Sequence, residues 1–287
     1  MEAYIGFDTS CYTTSIAIVD DAGELILDHR SGLKVKEGGR GLRQSEGVFQ
    51  HIKNLGVFAG LENRLPEEMK IAAVAASVKP RPLPESYMPV FTVGENAARV
   101  AAAVAGVPFF GTTHQENHIM SGLWSAGGPQ EERFLTVHLS GGTTELLETV
   151  RSVSGFGVRI VGGTEDISAG QLVDRVGVAM GLPFPCGPHL ERLADEDEKD
   201  GPPVEIRCSA RGTYTSFSGP ETHAKKLLEA GENKAEVARA VLFCIARSLA
   251  AVIAEACSML EVNDVLMVGG VSSNIYIRDY LEEYLNC

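Results

Sequence analysis

The stretch GTTHQENHIMSG, residues 111–122, sets His114 and His118 four positions apart. On a helix, that spacing puts two imidazoles on one face, close enough to share a divalent metal ion. It is not the HExxH pattern of a zinc peptidase, because Gln115 stands where a glutamate base is needed. A second kind of chemistry is offered by three glycine- or hydroxyl-rich turns that follow apolar runs: TSCYTT (9–14), SGGTT (140–144) and GGVSSN (269–274). Free backbone N–H groups in such turns suit phosphate oxygens or the polar edge of a nucleoside. None fits GxxxxGKS, GxxxxGKT or GxGxxG, so neither a Walker loop nor a dinucleotide fold is supported. Each feature alone has a plain structural reading: paired histidines at helical spacing are commonly incidental, and a glycine turn is commonly a hairpin.

The elements that must position these residues follow from hydrophobic patterning. The first thirty residues read as two or three strands, with TSCYTT and DAG as the turns between them. A helix-compatible run covers 45–58, with Val48, Ile52, Leu55 and Phe58 at helical spacing. A buried strand at 71–78 leads into a proline-rich loop. An alanine-rich helix at 95–106 is closed by Gly106, and a short strand precedes the histidines. At 133–150 the pattern restarts, RFLTVHLSGGTTELLETV repeating the strand, polar turn, strand device of the N-terminus. The repetition predicts two related α/β lobes, 1–130 and 131–287, facing a cleft lined by residues 9–14, 138–142 and 269–274. Further on come a helix at 168–182 with Leu172, Val176 and Ala179 on one face, a charged loop at 191–203, and a long helix at 236–260. A strand, a glycine turn and a helix complete the sequence.

The totals narrow the partners. A net charge of −13 over 287 residues argues against binding a polyanion unaided, since phosphate contacts need clustered Lys and Arg. The six cysteines, Cys11, Cys186, Cys208, Cys244, Cys257 and Cys287, are scattered without a CxxC, as expected of reduced thiols in a cytoplasm. No signal peptide is read at the N-terminus. The helix at 236–260 is interrupted by Arg239, Arg247 and Glu255, which predicts a buried helix and not a membrane span.

Six segments then fall in one order: FDTSCYTTS, the 114–118 histidine pair, LSGGTT, AGQLVDRVGVAMGLPFPCGP, TSFSG (215–219) and GGVSSN. Together they resemble the TsaD-type threonylcarbamoyl-transferase family of tRNA modification, formerly called O-sialoglycoprotein endopeptidases, from Tyr4 to Tyr284. The resemblance implies an actin-like, sugar-kinase-like duplicated fold. It also implies transfer of threonylcarbamoyl from its adenylate to the N6 amine of adenosine in tRNA. By motif, His114 and His118 take the positions of the family's metal-binding histidines, with iron or zinc as the ion. His138, Leu139, Ser140, Gly141 and Gly142 take those of the loop that holds the phosphate and carbamoyl end. Asp174 takes the ribose position, and Gly187 and Asn274 the adenosine-contacting ones. Asp8 stands where the family has an acidic residue beside the phosphates, and is the candidate catalytic residue. The bound species expected is an adenine nucleotide or threonylcarbamoyl-adenylate. The expected partners are a related actin-like subunit or a second copy, paired through the helices at 45–58 and 97–105, with tRNA held only alongside such partners and no membrane.

The sequence also departs from the family pattern. Tyr12 and Thr13 replace an acidic pair, Thr143 replaces a histidine, and Lys79, Pro80, Arg81 and Pro82 replace a glycine turn. The sequence runs 13 residues past Asn274, short of the segment carrying the family's third metal ligand, an aspartate. Two histidines alone make an open, weak site. An active transferase, a nucleotide-binding scaffold or regulatory paralogue, and an ATP-dependent small-molecule kinase or carbamoyl transferase on the same fold all stay open at this level.

Overall fold

The alternation Thr14, Ile16, Ile18 in β2 (Thr13–Asp20) buries one face of the strand and leaves the other partly open. β2 pairs antiparallel with β1 (Glu2–Asp8) and with β3 (Leu25–Gly32). The structure, a computed structural model, describes residues 1–10, 12–35, 42–56, 60, 66, 68–153, 155–196 and 204–285. Cys11 and Cys287 therefore lie outside the described residues. Two compact units are present, Met1–Asn117 and His118–Cys287.

In the N-terminal unit, β4 (Lys70–Lys79) runs parallel to β1, and β5 (Phe109–Thr113) runs parallel to β4. The sheet order is β3-β2-β1-β4-β5. α2 (Phe91–Ala105) buries Ala98 and Ala102 against Val74 and Ala76, small side chains that bring the helix close to the sheet. It stops at Gly106, whose φ of 68° is the left-handed conformation a glycine adopts without strain. α1 (Gln44–Leu55) packs on β2, where Thr14 Oγ1 and His51 Nδ1 are 2.8 Å apart. The expected helix over 45–58 ends at Leu55, and Phe58 lies outside the described residues.

In the C-terminal unit, β6 (Arg133–Leu139), β7 (Thr144–Ser152) and β8 (Gly155–Thr164) form an antiparallel ribbon. β11 (Val265–Val268) lies parallel to β6, and the short β10 (Tyr214–Thr215) and β9 (Ala210–Arg211) extend the other edge. The order is β11-β6-β7-β8-β10-β9. The core of this sheet repeats the first: three antiparallel strands, with a parallel strand added beside the first of them. The third strand of the repeat, β8, is rich in glycine and was not legible as a strand.

The helices of this unit are α4 (Ala169–Met180), α5 (Gly187–Asp195), α6 (Ser218–Glu229), α7 (Lys234–Leu260) and α8 (Ile275–Leu285). α3 (His114–Ala126) starts at the end of the first unit and continues into the second. The boundary expected at 130/131 lies beyond α3, whereas the division at 117/118 falls inside it. Two local expectations need correction. The buried face of α4 is Leu172, Val173, Val176, Gly177 and Met180, and Ala179 is exposed, because the pattern i, i+1, i+4, i+5, i+8 is the stripe turned inward, on the helix that packs with α5, α6 and α7. Residues 191–195, expected in a charged loop, are helical, because Leu190 and Ala194 are buried and Pro188 sits at the helix start. Residues 197–203 of that loop are outside the described residues.

α7 is long and apolar enough to cross a membrane by length and composition, and 72% of its most apolar window is buried inside the unit. Val237, Val241, Ile245, Leu249, Val252 and Ile253 are fully buried in the largest core cluster. Burying each such side chain stabilises the unit by about 1.5–3 kcal/mol. Arg239 and Arg247 sit on the same helix without opening its buried stripe.

Candidate functional site

Four turns of the C-terminal unit converge on a cavity of about 250 Å³. The first, residues 140–143 between β6 and β7, is closed on itself: Ser140 N donates to Thr143 O at 2.9 Å, and Thr143 N donates to Ser140 Oγ at 3.1 Å. The second is the start of α4. Ser168 Oγ accepts from Gln171 N, Gln171 Oε1 accepts from Ser168 N, and the same Ser168 hydroxyl donates to Gly141 O at 2.9 Å. That capping box fixes the helix N-terminus against the first turn. Gly170 makes the approach feasible, since a Cβ there would stand 2.6 Å from both Gly141 Cα and Ser140 O.

The third turn, Pro185 to Pro188, precedes and opens α5. The Asp174 carboxylate on α4 accepts from Cys186 N at 2.8 Å and so fixes the turn to α4. Burial raises the Asp174 carboxyl above its ordinary value, and the Cys186 hydrogen bond only partly offsets this. The fourth turn follows β11. Gly269 has a φ of 97°, and a Cβ would lie 2.2 Å from Leu139 O, so only glycine lets β11 leave the sheet beside β6. The chain then makes a 3-10 turn over Gly270–Ser273 and starts α8 with Asn274, whose Oδ1 accepts from Ile277 N at 3.1 Å.

The cavity wall brings together Gly141, Asp174, Gly187 and Asn274, with Val173, Val271, Leu242 and Ile277 as the apolar surface. Glu191 joins them; its Oε1 accepts from Ile275 N at 2.8 Å and ties α5 to α8. Sequence reasoning missed Glu191 because it read as loop; its place one helical turn after Gly187 was the usable signal. The remaining residues expected in the loop are elsewhere. Leu139 is fully buried, Ser140 and Gly142 do not line the cavity, and the His138 side chain is buried with its ring 4.8 Å from that of His118.

Asp8 belongs to the N-terminal unit, at the end of β1. Its Oδ2 accepts from Ser77 Oγ, from His114 Nδ1 at 3.1 Å and from Asn117 Nδ2 at 3.3 Å, and its Oδ1 accepts from Ser10 N at 2.7 Å. Burial pushes the carboxyl up, but the hydrogen bond and charge of His114, with Ser10 and Ser77, outweigh it and hold Asp8 well below the usual carboxylate range. The residues that replace the expected glycine turn, Lys79 to Pro82, lead away from β4, with Pro80 O accepting from Gln115 N at 3.0 Å.

His114 and His118 lie one turn apart on α3, as the spacing predicts. His114 is engaged by Asp8, and His118 lies against His138. Among the described residues no group of three or more His, Cys, Asp or Glu side chains is arranged to hold a metal ion. The described residues thus do not fit a resident ion, and no chemistry is derived through one.

Comparison with known proteins gives the family and the fold. The profile of the family TsaD, tRNA N6-adenosine threonylcarbamoyltransferase, matches residues 69–286. The chain is 32% identical over 287 residues to a tRNA N6-adenosine threonylcarbamoyltransferase of Thermus thermophilus, covering 97% of this chain and 84% of that protein. It is 28% identical over 283 residues to the protein of the same name from Methanopyrus kandleri, covering 97% and 78%. Among solved structures it resembles a ROK family protein from Streptococcus pneumoniae, with a TM-score of 0.52 at 12% identity over 99% of this chain and 86% of that one. The two repeated sheets are those of the actin-like, sugar-kinase-like fold. With a profile match across most of its length and relatives aligned over nearly all of it, the chain belongs to the TsaD family of tRNA N6-adenosine threonylcarbamoyltransferases.

Proposed function

We propose that this protein works in tRNA threonylcarbamoyladenosine biosynthesis, transferring threonylcarbamoyl from its adenylate to adenosine N6 in tRNA. The observation that carries the reading is the cavity shared by Gly141, Asp174, Gly187 and Asn274, four separate stretches brought to one wall. We assign it the adenosine part of the donor. Asp174 accepts from ribose hydroxyls, Asn274 and the α5 start meet the base, and Val173, Leu242 and Ile277 exclude water from its faces. The Gly141 turn, held by Ser168, lies toward the phosphate and carbamoyl end.

In the transfer itself, the N6 nitrogen bonds to the carbamoyl carbon and the bond from that carbon to the phosphate oxygen breaks. The electron pair leaves with AMP, and the N6 proton is lost to solvent or base. The amine is a weak nucleophile, so positioning must supply much of the rate. Asp8 stays ionised at neutral pH, and its role is to orient His114 through Nδ1, not to donate a proton. A metal ion is the expectation of the family resemblance, and a cytoplasmic setting that of the scattered cysteines.

Partners complete the reading. The N-terminal unit carries 11 Lys and Arg against 14 Asp and Glu, and the C-terminal unit 14 against 24, giving −3 and −10, which sum to the −13 of the chain. Neither unit has the net positive charge that draws a polyanion, and we assign the basic surface for tRNA to a partner subunit. α2 leaves Val100 and Val104 exposed at 63% and 85%, and α1 leaves Phe49 and Ile52 exposed. We assign these faces to a related actin-like subunit or a second copy. The test is incubation of the full chain with threonylcarbamoyl-adenylate and unmodified tRNA, with and without candidate partners, followed by nucleoside mass spectrometry. Modified adenosine formed only with the chain present is expected. No product under any combination would overturn the transferase reading and leave a nucleotide-binding scaffold.

A further inference from the structure

Four cysteines are described, Cys186, Cys208, Cys244 and Cys257. Two of them meet. Cys208, in the segment before β9, and Cys244, on the buried face of α7, have their sulfurs 3.1 Å apart. A disulfide needs an S–S distance of about 2.05 Å, so bonding requires an approach of only about 1 Å. The surroundings hold them there. Cys208 Sγ also lies 3.4 Å from Cys244 O, and Ser248 Oγ donates to the same carbonyl at 2.8 Å. The two thiols differ in access: Cys208 is half-buried, whereas Cys244 is 1% exposed.

We propose that Cys208 and Cys244 are a dithiol site that a hydroperoxide converts to a reversible disulfide, fastening the segment before β9 to α7. The inference is independent of the transfer reaction. Cys208 is the attacking sulfur, by access and by charge. The hydrogen bond with Cys244 holds its thiol below the ordinary value against the cost of burial and the Glu205 charge, with Ser248 and Arg247 adding to the effect. The same bond and burial push Cys244 upward, so it keeps its proton. The Cys208 thiolate attacks one oxygen of the hydroperoxide, giving a sulfenic acid and releasing water or an alcohol. The Cys244 sulfur then displaces the sulfenic hydroxyl, which leaves as water with the Cys244 proton. Two electrons pass from the sulfur pair to the O–O bond, and a small-molecule thiol reverses the change. A disulfide of this kind, formed transiently, is compatible with a reducing compartment.

Arginines flank both cysteines conveniently. Trypsin, cutting after Arg207, Arg211, Arg239 and Arg247, releases Cys208 in the peptide 208–211 and Cys244 in the peptide 240–247. The full chain is treated with one equivalent of hydrogen peroxide, denatured with iodoacetamide, and digested without reduction. The expected product is the cross-linked pair of these two peptides, removed by dithiothreitol and absent from Cys208→Ser. Closing this loop should also raise the melting temperature of the oxidised protein by about 5 °C or more. Cys208→Ser, at a half-buried position, should keep the wild-type circular dichroism spectrum, and loss of that spectrum moves the comparison to Cys208→Ala. Recovery of both peptides alkylated, sulfinic acid on Cys208 beside an alkylated Cys244, or a different cysteine pairing would each overturn the proposal.

Discussion

The two units share a strand plan but not what they build on it. In both, the first strand leads through a polar turn into an antiparallel second, and a later strand runs parallel beside the first. In the C-terminal unit the parallel strand β11 ends in Gly269, which tucks against Leu139 O and lets the following turn form one wall of a cavity. In the N-terminal unit the corresponding strand β4 ends in Lys79 and Pro80, and the polar groups nearby are drawn into a hydrogen-bond network around Asp8. One plan has thus yielded a cavity in one unit and a fixed charge in the other. The difference rests on whether the exit of the parallel strand permits a close backbone approach.

The largest effect should come from removing that permission. Gly269→Ala places a Cβ 2.2 Å from a carbonyl oxygen at a positive φ, and should cost on the order of 2–5 kcal/mol in urea unfolding. Gly6→Ala in β1, whose Cβ would meet only Ala17 O at 4.0 Å, should stay within about 1 kcal/mol. Similar losses at the two positions would break the comparison.

The two carboxylates should differ in sign. Asp8 titrates below its ordinary 3.8 in the folded protein, so its contribution to stability is present above that value and is lost as the pH falls through the folded value. Asp174 titrates above 3.8, so its contribution is present below that value and is lost as the pH rises through the raised one. Asp8→Asn should therefore cost on the order of 1–3 kcal/mol at pH 7 and flatten the acid limb of stability. Asp174→Asn should relieve a penalty at neutral pH. Denaturation midpoints from pH 3 to 7 check both, and parallel profiles would remove the distinction.

Smaller effects sharpen the picture. Asn274→Ala removes the α8 cap and should cost about 1 kcal/mol of stability, while Asn274→Asp keeps the capping oxygen. If the amide also contacts the base, both variants should lose several-fold in adenine nucleotide affinity, about 1 kcal/mol. Retained affinity in the aspartate variant would confine Asn274 to capping. Smallest of all, Val104→Ser on the exposed face of α2 should change stability by less than about 0.5 kcal/mol. Light scattering should nevertheless show weaker association with the partner or with a second copy.

Much of the fold was legible because hydrophobic periodicity and turn chemistry agreed. β2, β4, β6 and β7 alternate or run apolar between polar turns, and the Gly106 stop of α2 stands at the expected residue. β8 was illegible because four glycines dilute its pattern, and its place is set by pairing with β7 instead. α5 was hidden by its charges: Glu191, Arg192 and Asp195 face outward or sideways, while two apolar residues decide the helix. Within the candidate site, Gly141, Asp174, Gly187 and Asn274 were readable through motif order, and the cavity gathers them. Glu191 was not, since its role depends on the backbone of α8, 84 residues away. The histidine spacing revealed a shared helix face but not the neighbours that occupy it, Asp8 for His114 and His138 for His118.

The most direct measurement is calorimetric titration of the full chain with AMP, comparing wild type with Asp174→Ala. Binding to the wild type, weakened at least several-fold in the variant with an unchanged circular dichroism spectrum, is the expected result; equal affinities, or no binding to the wild type, would contradict the assignment of this cavity to the adenosine of the donor.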